Sequence, residues 1–100
     1  MLIFPRETAE YLPVPVEGPG ALTGLPVEMQ IRPYPLRPTS DGWKTASWGT
    51  IGAETVAQIP IGPGSDFDFS TAPGDYVPYV RITSAPPETP VIEGSPFKIS

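Results

Sequence analysis

Apolar and polar residues alternate with a period of two along much of this chain, and clusters of Gly, Pro, Asp and Ser cut the alternation about every 8 to 12 residues. Side chains two apart share a face of an extended strand, so each run buries one face and wets the other. The runs expected as strands are Tyr11–Glu17, Pro26–Arg32, Trp43–Trp48, Thr55–Ile61, Phe67–Ser70, Tyr76–Thr83 and Val91–Ile99, the last broken at Gly94. The cleanest is "PVEMQIR" at 26–32, with Val27, Met29 and Ile31 directed inward and Glu28, Gln30 and Arg32 toward water. Helix is excluded by arithmetic. The longest stretch without Gly or Pro is Ser65–Ala72, eight residues, too short for a multi-turn helix.

The first run poses a conflict, because Pro13 and Pro15 alternate with Leu12, Val14 and Val16, and proline has no N–H to give a ladder. Residues of one parity send N–H and C=O to one edge of a strand, so both prolines strip donors from the same edge. The run is therefore expected at a sheet edge, with Leu12, Val14 and Val16 carrying the ladder on the inner side and the outer side blunted against association.

Composition narrows the picture. Pro and Gly number 16 and 10, but hydrophobic residues make up 39% and charged ones 17%, which is enough apolar surface for one core. One hundred residues make one domain. Cys and His are both absent, which removes disulfides, Cys or His zinc sites and His-activated nucleophiles, and leans toward assembly in a reducing cytoplasm. The N-terminus shows no basic leader, and no run approaches the ~20 apolar residues of a membrane span. A net charge of −5, with six basic residues placed singly, speaks against a duplex-binding surface.

Candidate chemistry is sparse. "SDFDFSTAPGD" holds Asp66, Asp68 and Asp75; Asp66 and Asp68 share a face on which they could approach calcium, or they face solvent while Phe67 and Phe69 turn inward. "GPGALTG" precedes a strand and lacks the donors of a phosphate loop. No catalytic motif, small-molecule site, cofactor or metal is assigned, and the chain is read as not an enzyme. Trp43 and Trp48 differ by five positions and fall on opposite faces, one anchoring the core and one left as a surface ring. At the N-terminus Pro5 separates Leu2, Ile3 and Phe4 from the first strand. This segment either tucks onto its own core or forms an arm that docks on a neighbouring subunit.

From Gly74 onward, "GDYVPYVRITSAPPETPVIEGSPFKIS" resembles small immunoglobulin-like β-sandwich proteins from virions of tailed phages infecting actinobacteria. The matching residues are Gly74, Tyr76, Val80, Ile82, Pro87, Glu88, Pro90, Val91 and Phe97; Trp43 looks like that fold's buried tryptophan, and the likeness spans about residues 22–99. Gly74-Asp75-Tyr76 is similar to a tyrosine corner, in which a Tyr bonds backbone across the corner. Pro78 departs from the pattern and implies a bulge or a ladder missing one donor.

The resemblance implies an all-β fold, a single immunoglobulin-like antiparallel β-sandwich of about seven strands (11–100) with a short N-terminal arm (1–10). It implies a non-enzymatic structural protein of a tailed-phage virion, in capsid, neck or tail, that packs against other virion proteins and copies of itself. No specific nucleic-acid or membrane partner is expected. The interface candidates are Leu2, Ile3, Phe4, Tyr34, Leu36, Trp48 and Tyr79. The alternative is a surface recognition module that binds carbohydrate or a host receptor through Trp48 or Tyr79, assisted by calcium at Asp66 and Asp68.

Overall fold

The computed structural model describes residues 2–5, 7–16, 24–69, 71–83 and 90–100. They form two packed sheets and contain no α-helix. The strands are β1 (Leu2–Phe4), β2 (Glu10–Pro15), β3 (Val27–Pro33), β4 (Lys44–Thr45), β5 (Ser47–Ile51), β6 (Glu54–Ile61), β7 (Gly74–Ile82), β8 (Val91–Glu93) and β9 (Phe97–Ile99). One sheet runs β1-β9-β7-β3-β4, with β8 also pairing β7; the other runs β2-β6-β5. All pairings are antiparallel except β1 with β9.

Alternation places the core where the pattern required it. Leu12, Val14, Val16, Ala57, Ile59 and Ile61 of the smaller sheet meet Val27, Met29, Ile31, Val80, Ile82, Phe97 and Ile99 of the larger one, all buried. At one end Phe4, Phe69, Tyr76 and Phe97 form an aromatic cluster, the tightest pair being Phe69 and Tyr76 at 4.4 Å between ring centroids. Offset and edge-on ring pairs of this kind add to area burial.

The described residues form nine strands against the expectation of about seven, for four local reasons. Leu2–Phe4 is itself a strand, added parallel to β9. The run at 43–48 splits, because the chain leaves the larger sheet after Thr45 and enters the smaller one at Ser47, with the Ala46 amide still donating to the Val27 carbonyl at 3.0 Å. The run at 91–99 splits at Gly94, as read. The fifth run is not a strand: Phe67 makes only an isolated bridge to Ile61, because Phe67 and Phe69 stack and turn toward the core instead of pairing further. Glu17, Ser70, Pro87 and Glu88 lie outside the described residues.

Every strand proline has its missing donor where no ladder needs one. In β2 the Val16 amide donates to the Thr55 carbonyl at 3.0 Å, so even positions face β6 while Pro13 and Pro15 face the free edge. Pro33 and Pro60 lie past the ends of the short neighbours β4 and β5. Pro78 sits where the partner of β7 changes from β9 to β8; Tyr76 opposes Phe97 while Tyr79 opposes Glu93, so the register slips by one and Ser95 and Pro96 together oppose Val77. That two-against-one arrangement is a β-bulge, and the Pro78 carbonyl still accepts from the Gly94 amide at 2.8 Å.

Candidate interaction surface

The outer face of the larger sheet is not simply wet. Gln30, expected toward water, is 2% exposed. Its carboxamide bonds Thr39 three ways: the Thr39 amide and hydroxyl donate to Oε1 at 2.8 and 3.0 Å, and Nε2 donates to the Thr39 carbonyl at 3.0 Å. The proline-rich loop 34–43 is thereby strapped down across the sheet. The Tyr79 hydroxyl donates to the Leu36 carbonyl at 3.0 Å, Arg37 lies over the Tyr79 ring and pairs with Glu93 at 3.1 Å, and Arg32 Nε donates to the Arg37 carbonyl. Beside the strap, Arg81 pairs with Glu28 at 2.7 Å and stacks on Trp43, its guanidinium 4.6 Å from the ring centroid.

This arrangement corrects two ring assignments. Tyr79 is 2% exposed beneath the strap and offers no surface platform. The tryptophans exchange roles: Trp48 packs against the core and donates from Nε1 to the Leu25 carbonyl at 2.9 Å, whereas Trp43 lies half-buried against Arg81. Parity separates the two rings but does not say which one lies inside, because the single run Trp43–Trp48 crosses from one sheet to the other at Ala46.

The remaining candidates separate by exposure. Phe4 is half-buried, edge-on to Phe97 at 5.9 Å, whereas Leu2 and Ile3 on the same strand stay 57% and 63% exposed. Tyr34 and Leu36, at the start of the strap, are 54% and 48% exposed. Pairing brings Ile3 and Tyr34 into one arrangement: Ile3 lies opposite Lys98, Lys98 opposite Asp75, and the Tyr34 amide donates to the Asp75 carbonyl at 2.9 Å. Sequence pattern does not place Lys98 beside Asp75, although both are polar, out-of-phase positions, one between buried Phe97 and Ile99 and the other beside buried Tyr76.

Two hollows flank the sheets. A groove of about 730 Å³ runs between the β2 edge and the bulge, lined by Leu2, Leu12, Val14, Pro78, Gly94 and Phe97. A second, of about 590 Å³, is lined by Glu10, Tyr11, Pro60, Pro63 and Asp66. Asp66 and Asp68 are exposed, and among the described residues no three His, Cys, Asp or Glu side chains gather as a cation cage. Burial raises the Tyr76 phenol above its ordinary value, and its hydroxyl donates to the Ala72 carbonyl. No protein-family model, curated protein or solved structure matches the chain.

Proposed function

We propose that this chain is an immunoglobulin-like sandwich that serves as a non-enzymatic structural component of a tailed-phage virion, acting by protein–protein packing. The observation that carries the reading is the strand order closed by the Tyr76 hydroxyl. The hairpin of β5 and β6 joins β2 in one sheet, while β3, β7 and the bulged β8–β9 strand lie side by side in the other, a division that supports an immunoglobulin-type Greek key. The Tyr76 bond to a carbonyl four residues upstream has the form of a tyrosine corner. Of the described residues that carry the resemblance, Tyr76, Val80, Ile82 and Phe97 are core and Pro90 accepts from the Ile82 amide at 3.1 Å, whereas Val91 is exposed and Trp43 lies outside the core.

The mechanism is that of a rigid block. Bonds from Gln30, Tyr79 and Arg32 hold the strap before any partner arrives, which lowers the entropy lost on docking. Apolar side chains are left standing at the sheet margin, Leu2 and Ile3 on β1 and Tyr34 and Leu36 on the strap. The recognition alternative draws no support from its two rings, one of which is buried and the other packed on the core. The test is mass spectrometry of purified particles from the source phage, with in-particle crosslinking. The chain is expected in fixed stoichiometry with crosslinks to other virion proteins; its absence from washed particles would overturn the reading.

A further inference from the structure

We propose that the outer face of the larger sheet, along the row Ile3, Lys98, Asp75 and Tyr34, is the surface through which two copies of this chain associate about a twofold axis. The row is set by register: β1, β9 and β7 align Ile3, Lys98 and Asp75 directly opposite one another, and Tyr34 continues it through its bond to the Asp75 carbonyl. Its order is apolar, cation, anion, aromatic. With the axis in the interface, parallel to the strands and between Lys98 and Asp75, the row meets its own reverse. Lys98 then faces Asp75 of the second copy and Ile3 faces Tyr34, twice over by symmetry, as an isologous contact requires.

The charges favour this occupant. Asp75 and Lys98 are cross-strand neighbours on one face, where opposite charges ordinarily pair, and both are exposed. Neither side chain has an ion pair or hydrogen bond among the described residues, whereas the other two opposite-charge contacts on this face, Arg37–Glu93 and Arg81–Glu28, are closed. An unpaired cation and anion, flanked by side chains 63% and 54% exposed, form a surface complementary to itself. Competing modes are reduced at the β2 edge, where Pro13 and Pro15 withhold donors. The proposal rests on the packing reading for the identity of the occupant and adds the face and the symmetry.

The test is sedimentation equilibrium of the purified full chain over a concentration series at low salt. The average mass is expected to rise from 10.7 kDa toward twice that value and to fall back as salt is added. Asp75→Lys sets two lysines against each other and Lys98→Glu sets two acids, so each is expected to weaken association about tenfold, a change of about 1.4 kcal/mol. The double swap, which leaves the net charge at −5, restores it. The single swaps move net charge in opposite directions, so an effect of overall repulsion would strengthen one and weaken the other. All three variants should melt with the parent, since both positions are exposed. A mass that stays monomeric throughout, association indifferent to the single swaps, or failure of the double swap to rescue overturns the proposal. The chain can meet any of these outcomes and still be found in particles, so the packing reading is judged separately.

Discussion

Tyr76 shows how much one side chain holds in a fold of this size. Its ring lies in the aromatic cluster against Phe69 and Phe97 while its hydroxyl crosses to the Ala72 carbonyl, so the start of β7 is tied to the loop that precedes it. Tyr76→Phe keeps the ring and removes the bond, at a cost of about 0.5–1.5 kcal/mol. The melting temperature is expected to drop by roughly 4–8 °C for each kcal/mol lost, measured by calorimetry. Burial raises the phenol above its ordinary 10.0, which means the folded state favours the neutral form. That contribution is complete below the unfolded value and is lost as pH climbs through the raised folded value. Above pH 10 the parent should therefore lose stability faster than Tyr76→Phe, and the gap between them should close. Gln30 is the opposite lesson in legibility: its parity placed it on the outer face correctly, but only the strap folding over that face made it a buried crosslink.

Elements here are shaped as much by the donors they lack as by the ones they have. Pro13 and Pro15 leave the Leu12, Val14 and Val16 side of β2 to bond β6, as parity required, and give the outer side nothing to offer another strand. Replacing both with Thr restores two donors to that edge and should leave the melting temperature within a few degrees, while light scattering on prolonged incubation rises above the parent's. If the variant scatters no more than the parent, edge blunting is not their role. The same parity logic accounts for Pro78, which falls at the bulge between β8 and β9. The alternation read from Trp43 stops at Trp48, whereas β5 continues to Ile51 and forms a hairpin with β6. Yet Gly52, with φ of 62°, occupies the first central position of a two-residue turn before Glu54, where Gly is favoured.

At the level of the molecule, β1 closes the larger sheet. Ser100 donates from its amide to the Phe4 carbonyl at 3.0 Å, and Phe4 meets Phe97 edge-on, so the first and last described strands are bound together. Phe4→Ala should cost about 1–2 kcal/mol for a half-buried ring. It should also raise hydrogen exchange at Ser100 and along β9 more than in β3; uniform exchange would mean that β1 contributes nothing local. Period-two alternation, the exclusion of helix and the inner phase of β2, β3 and β6 belong to the sequence alone, because which side chains share a face depends only on neighbours two apart along the chain. Which tryptophan is inside, that Gln30 and Tyr79 are covered, that Leu2–Phe4 pairs with β9, and that Lys98 stands beside Asp75 were decided by tertiary structure. Each of these depends on residues far apart in sequence being brought together by a sheet crossing, a strap or a register, and local pattern carries no information about that distance.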